Sequence, residues 1–555
     1  MGSLDAIVRR ARELGGLAER RLQLRPRDTA AAERARQLRD HALGYVAPRA
    51  ADLDAPLVIV VLGPTGSGKS SLLNAIAGAP VSATGVLRPT TRSAILFATT
   101  ADADRLTRSG QLSRLPAQSL ARVVAPMDRE GLAVVDAPDI DSVELENRQL
   151  ADILLESADL CVFVTTASRY ADLVPHEVLA RVRERGLPVV LVLNRLPADS
   201  RDREIVVADA TRLLAQAGLS VDGAMALVRE GERDQQRDAL SREALRPLLE
   251  RVDELSRDRE ARIAAAAAAL DGALRGLAPL AETVADDIEH EAIDAEALRR
   301  VAAATYAGEA RTLGVTLHEG AVLRDEILRQ WHDFVGADQI TRFVAKGLSR
   351  IQAMIATALH GERASPLPDV EREAVAAVEA LVLRHANEAA RQTASRWSER
   401  ADGQAALARD PALWSASNDL AAAVRAELDA WLRSIVDDVR AAGAQKKTTA
   451  QITALGVNVV GVAVMLAVFA HTAGLTGAEL GIAGGAAFVN QKLLEAIFGE
   501  RVMAELVDRA GDRLDAAIET LFAHERERFE REIPAPQELR DLAASLRETA
   551  GTVAR

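Results

Sequence analysis

"LGPTGSGKSSLLNAIAG", residues 62–78, decides the fold. Gly63, Gly68, Lys69 and Ser70 stand at the spacing G-x-x-x-x-G-K-[ST]. Such a loop, with Thr65, Gly66 and Ser67 inside it, curls backbone N–H groups round phosphate oxygens. Lys69 sets a cation on the β- and γ-phosphates, and the Ser70 hydroxyl can ligate Mg²⁺. Ahead of it Val58, Ile59, Val60 and Val61 make a β-branched run without polar alternation, which predicts a strand buried on both faces. Behind it Ser71 and its neighbours open a helix whose positive end faces the same anion. Strand, loop, Lys-Ser pair and helix come in the order that phosphate binding requires.

Outward from this loop, the chain has 555 residues, enough for several domains, and is 48% hydrophobic, ample for packed cores. Its one cysteine, Cys161, lies in an apolar run, which excludes an intrachain disulfide and points to a reducing compartment. Residues 1–40 are charged throughout, so no signal peptide is expected there. A net charge of −13 and 3% aromatics argue against nucleic acid as a partner. No His/Cys cluster has zinc spacing, and Mg²⁺ with the nucleotide is the only metal implied.

Residues 4–47 read as helices broken near Pro26. Residues 56–253 alternate strand-like and helical runs, with strands expected at 57–62, 93–98, 132–136, 160–165, 189–193 and 224–228. Beyond Glu254 the pattern is helical almost to the end. Ile263, Ala267, Leu270, Leu274 and Leu277 form one expected stripe, and a second surrounds Trp331, read as core; Ser365 to Pro368 read as a turn. Residues 452–470, "ITALGVNVVGVAVMLAVFA", carry no charge, over roughly the length that crosses a hydrocarbon core. Thr476-Gly477-Ala478-Glu479 is a capping box that starts a second helix. Gly477, Gly481 and Gly485 recur every four residues, as in closely packed membrane helix pairs. Lys446, Lys447 and Lys492 flank the hairpin where anionic headgroups would lie. Membrane contact through 452–489 and burial inside a helical bundle both fit; the unbroken apolarity favours the membrane.

Three further stretches supply nucleotide chemistry. "ATGVLRPTTRSAILF" (83–97) offers Thr91, with Thr90 second, as a switch hydroxyl closing over Mg²⁺ and the γ-phosphate. "LAVVDAPDID" (132–141) ends a buried strand in Asp136, a partner for the metal's outer sphere. "VVLVLNRLP" (189–197) ends another in Asn194 and Arg195, an amide for guanine and a cationic stem for its ring. Arg169, in "VTTASRYAD" (164–172), is offered as a charge-stabilising arginine, but a surface ion pair is the favoured reading.

The set G-P-T-G-S-G-K-S-S-L-L-N, T-G-V-L-R-P-T-T, D-A-P-D and N-R resembles bacterial dynamin-like GTPases on the mitofusin-like side of that superfamily. The motifs cover only the nucleotide domain; elsewhere the agreement is architectural. The resemblance implies an α/β P-loop GTPase domain with an all-α trunk and an apolar helical hairpin, or paddle. Its domains would be N-terminal helices packing with the trunk (1–54), the GTPase domain (55–253), the neck and trunk (254–450), the hairpin (451–492) and returning helices (493–555). It implies GTP hydrolysis to GDP with Mg²⁺, with Lys69, Thr91 and Asp136 catalytic and Ser70, Thr91 and Asp136 serving the metal. It implies self-association through the GTPase domain, with itself or a paralogue, and membrane lipids as partners at the cytoplasmic face of the cell membrane. Three features depart from the pattern. Thr65-Gly66 stands mid-loop where dynamins commonly carry Gln-Ser or Pro-Ser. Asp139 stands where D-x-x-G has glycine, and Pro197 where the base-reading aspartate belongs, with Asp199 two residues on. Rival readings are weaker. An ABC-type ATPase lacks its signature loop here, and a ribosome-assembly GTPase would carry a basic appendage. A soluble nucleotide-dependent dimer switch remains the alternative.

Overall fold

The structure is a computed structural model describing residues 2–82, 94–141, 145–216, 225–319, 367–443, 466 and 498–553. The chain forms two compact units, residues 1–291 with 537–555, and residues 292–536.

The first unit is built on β1 (Leu57–Leu62), β2 (Ala94–Ala98), β3 (Leu120–Val124), β4 (Leu132–Asp136), β5 (Leu160–Thr166), β6 (Val189–Leu196) and β7 (Met225–Arg229). They form one sheet in the order β3-β2-β4-β1-β5-β6-β7, in which only the β2–β4 pairing is antiparallel. The β-branched run is the reason β1 lies at the centre. Val58, Val60 and Leu62 join the core on one face, while Leu57, Ile59 and Val61 join the core on the other. A strand apolar on both faces is stable only with helices on each side. Every strand expected from the sequence is present. β3 was not expected, because it is a mostly exposed edge strand whose Arg122 pairs with Asp104, so it lacks an apolar pattern.

Before, between and after the strands in sequence come α3 (Ala47–Ala51), α4 (Lys69–Ala77), α5 (Thr100–Arg108), α6 (Leu145–Ser157), α7 (Leu173–Glu184), α8 (Ser200–Gln216) and α9 (Arg246–Arg257). Four more helical segments belong to this unit: α1 (Gly2–Gln23), α2 (Thr29–Asp40), the start of the 61-residue α10 (Arg259–Glu319) and the C-terminal helix (Pro536–Val553). Ion pairs bind them together: Arg20–Glu538, Arg34–Asp287, the buried Arg21–Glu291, and Arg547 with Glu282, Asp286 and Glu289. A π-helical turn, His41–Val46, joins these helices to the sheet. Its Tyr45 hydroxyl donates to Asp159 at 2.8 Å, and the same carboxylate accepts from the backbone N–H of Val58 at 2.8 Å and from Arg49. Arg185 stacks over the Tyr45 ring at 4.3 Å.

The apolar stripe of α10 lies partly elsewhere than expected. Its buried positions are Ala266, Ala269, Leu270, Ala273, Leu277 and Ala281, whereas Ala267 is exposed and Ile263 and Leu274 are half-buried. Leu270 and Leu277 are buried as expected, but backbone approach rotates the rest of the face. A Cβ on Gly272 would stand 2.1 Å from the Gly186 carbonyl oxygen, so small residues fill the positions between these leucines. Cys161 is buried in β5 and its thiol is pushed up to about 12 by burial, which makes it inert.

The second unit contains the remainder of α10, α11 (Leu367–Trp397), α12 (Ala401–Arg409), α13 (Leu420–Gly443) and α14 (Glu500–Arg531). Trp397 meets Phe529 edge-on at 5.1 Å, and Tyr306 does the same to Phe522 and Phe529 at 6.1 and 6.0 Å. Each buried indole finds a carbonyl: Trp397 donates to Leu298 at 3.0 Å and Trp431 to Ala510 at 2.8 Å. Leu367 and Pro368 open α11 instead of forming a turn, since proline is tolerated in a first helical turn. The stripe around Trp331 lies outside the described residues. So does the apolar hairpin 452–489, apart from Leu466, which is fully buried in this unit's core.

Candidate functional site

The C-terminal edge of the parallel strands, where ligands of open α/β sheets bind, gathers Lys69, Ser70, Asp136 and Asn194 of the expected residues. Helix α4 (Lys69–Ala77) starts at the end of the phosphate loop. Gly68 caps it at φ +108°, a conformation only glycine adopts freely, and a Cβ there would meet the Asn194 amide nitrogen at 2.6 Å. Gly63 and Gly66 also have positive φ.

Lys69 is buried, and its Nζ donates to the carbonyls of Gly63 at 2.9 Å and Pro64 at 3.3 Å and pairs with the Asp139 carboxylate. The acid that breaks the D-x-x-G pattern therefore points at the loop's cation. Ser70 Oγ donates to Asp136 Oδ2 at 2.7 Å, and Ser82 Oγ adds a second bond to that oxygen at 3.1 Å. Asp136 Oδ1 is buried and without a protein partner among the described residues. Burial pushes the Asp136 carboxyl above its ordinary range, against the pull of Lys69 and the two hydroxyls. A buried carboxylate with one bare oxygen beside a serine hydroxyl fits Mg²⁺ and its water shell. Ser70 would ligate the ion, with Asp136 behind it.

Asn194, at the end of β6, donates to the Ser67 carbonyl at 2.8 Å and accepts from the Arg195 N–H at 2.8 Å, with Arg195 exposed at φ +54°. The amide thus joins β6 to the phosphate loop. Asp199 is committed elsewhere: its Oδ1 accepts from the N–H groups of Arg201 at 2.9 Å and Asp202 at 3.0 Å, capping the helix Ser200–Gln216. Ser71 Oγ is bonded by Arg233 at 3.0 Å. Thr90 and Thr91 lie outside the described residues.

Arg169 sits on the phosphate loop. It donates to the Thr65 carbonyl at 3.1 Å, to Asp141 Oδ2 at 2.9 Å and to Asp172 at 3.0 Å. Asp141 Oδ1 in turn accepts from the Thr65 N–H at 2.8 Å and its hydroxyl at 2.7 Å. Burial alone would raise the Asp141 carboxyl, yet these Thr65 and Arg169 bonds hold it below its ordinary range.

Sequence reasoning missed Asn74. Its side chain accepts from the N–H groups of Val81 and Ser82 at 2.9 and 2.8 Å, and donates to the carbonyls of Ser82 at 3.0 Å and Asp238 at 3.1 Å. It clamps the backbone of Val81 and Ser82 just after α4. An amide in the otherwise apolar run "LLNAIAG" was the available signal.

A lysine, a serine hydroxyl and a strand-end acid assembled at the central strand define a nucleoside-triphosphate site. Residues 58–195 match the family model described as 50S ribosome-binding GTPase. No curated protein matches the chain. Among similar solved structures is an oligomerised bacterial dynamin pair, described as providing a mechanism for the long-range sensing and tethering of membranes. It aligns at 12% identity over 97% of this chain and 94% of that one, with a TM-score of 0.41. A second structure of such a pair aligns at 13% identity over 95% and 91%, TM-score 0.41. LeoA, a bacterial dynamin GTPase from ETEC, aligns at 12% identity over 99% and 94%, TM-score 0.25. The family match defines the class: residues 58–195 form a P-loop GTPase domain. The chain is a GTP-hydrolysing enzyme, and guanine nucleotide is its ligand.

Proposed function

We propose that the chain is a dynamin-like GTPase, which hydrolyses GTP to GDP with Mg²⁺ and couples turnover to self-association and membrane contact. The observation that carries the catalytic half is the convergence of Lys69, Ser70 and buried Asp136 on one end of α4. The phosphate-loop amides and Lys69 bind the β- and γ-phosphates, Asn194 and the Arg195 stem bind the base, and Thr91 closes the switch over the γ-phosphate. Mg²⁺, when bound at Ser70, neutralises charge developing on the phosphates. Self-association, with a second copy or a paralogue, runs through the GTPase domain.

Support for membrane contact comes from the uncharged run 452–470 and its flanking lysines, which would hold the protein at the cytoplasmic face of the cell membrane. Among the described residues, α10 between Arg259 and Leu317 is also long and apolar enough to cross a membrane by length and composition. Its apolarity is largely alanine, and its Ala266, Ala273 and Ala281 are buried in protein. A second reading, a soluble nucleotide-dependent dimer switch, is favoured by Leu466, buried in the core of residues 292–536.

Guanine reading is tested by displacement of a labelled GTP analogue with excess ATP. ATP should displace poorly from the parent chain. Asn194→Ala should erase the preference and weaken binding of both nucleotides by roughly tenfold, since the Ser67 carbonyl also loses its donor. Equal displacement from the parent would refute guanine selectivity.

A further inference from the structure

Two carboxylates from one short stretch, Asp139 and Asp141, sit on two cations of the phosphate-loop region. Asp139 pairs with Lys69 and Asp141 with Arg169. The surroundings of Asp141 describe an anion site. A phosphate-loop N–H, a hydroxyl from the same Thr65 and a guanidinium N–H converge on its two oxygens. Backbone N–H groups of a phosphate loop are the donors that cradle phosphate oxygens. The carboxylate of Asp141 stands in for such an oxygen, and Arg169 is one of the donors around it.

We propose that Arg169 is a catalytic arginine supplied within the chain, which donates to the γ-phosphate in the transition state once the triphosphate replaces Asp141 beside Thr65. The inference rests on the GTPase reading. Three features fit it. Arg169 follows β5, next to β1 in the sheet, and so needs no partner subunit to reach the loop. Its bond to the Thr65 carbonyl places the guanidinium against the loop backbone at 3.1 Å. Its other partners, Asp141 and Asp172, are half-buried or exposed carboxylates that can exchange it for a more highly charged anion. In the step itself, water adds to the γ-phosphorus while the bond to the β–γ bridging oxygen breaks. GDP leaves with that electron pair, and the water's protons pass to inorganic phosphate and solvent. Arg169 keeps its proton throughout and donates N–H bonds to charge growing on the transferred group and the bridging oxygen.

The test is single-turnover GTP hydrolysis by the full chain, with GDP affinity and trapping of GDP–aluminium fluoride measured beside it. Arg169→Ala should slow hydrolysis about 10³-fold, the lower end of what a transition-state arginine contributes. GDP affinity should stay within about threefold and the aluminium fluoride complex should no longer form. Added guanidinium ion should recover part of the rate. Arg169→Lys, which keeps a charge beside Thr65, should remain well below the parent because a point charge lacks the planar fork. Parent-like turnover in Arg169→Ala would overturn the proposal. So would a loss of GDP affinity equal to the loss of turnover, which would make Arg169 a structural pin of the loop. A parent chain unable to hydrolyse GTP would instead overturn the GTPase reading beneath it.

Discussion

Lys69→Ala is expected to lower affinity for GTP by roughly 10²- to 10³-fold. The Lys69 ammonium is buried and makes two bonds to loop carbonyls besides its pair with Asp139. Truncation removes the cation meant for the phosphates and leaves the Asp139 carboxylate facing them. Losing one partner of a buried, hydrogen-bonded charge pair costs about 2–5 kcal/mol, and every 1.4 kcal/mol is about tenfold in affinity. The sheet should survive, because β1 and its neighbours are held by apolar cores on both faces. Titration with a fluorescent GTP analogue, beside a thermal melt, reads both quantities. An unchanged dissociation constant would mean that the loop does not bind phosphate through Lys69.

The second large effect concerns residues 452–489. Within 452–470, eleven residues are Leu, Ile, Val, Met or Phe. At about 1.5–3 kcal/mol for each side chain taken fully out of water, even partial insertion anchors a protein. A charge near the middle of such a helix costs about 3 kcal/mol in lipid. Val464→Asp should therefore weaken flotation with liposomes by about 10²-fold and leave GTP turnover in solution intact. Leu466→Asp is a different experiment, since Leu466 is packed in the helical core. It should lower the melting temperature whether or not a membrane is present. A parent chain that never floats with liposomes would select the soluble dimer switch and dispose of the membrane half of the proposal.

The nucleotide domain was legible because its chemistry is local. Glycine spacing, the Lys-Ser pair and one β-branched run name a loop and its place in the sheet, and β1 lies there. The positions of Asn194 and Asp136 on the sheet were legible for the same reason, each ending an apolar run. What the sequence hid depends on distant contacts. β3 is an edge strand with little to bury. The packed face of α10 is set by Gly272 meeting Gly186, an approach of two backbones that hydrophobic periodicity does not record. Asp199 is spent on a helix N-terminus, and Asn74 and Asp141 gain their roles only when remote segments fold onto the loop.

The most direct measurement is incubation of the purified full chain with equimolar GTP and ATP in the presence of Mg²⁺, followed by separation of the products. GDP should accumulate while ADP does not, and the Lys69→Ala chain should make neither. Equal rates of GDP and ADP formation would contradict the guanine assignment, and failure to form GDP would contradict the central claim that this chain is a GTPase.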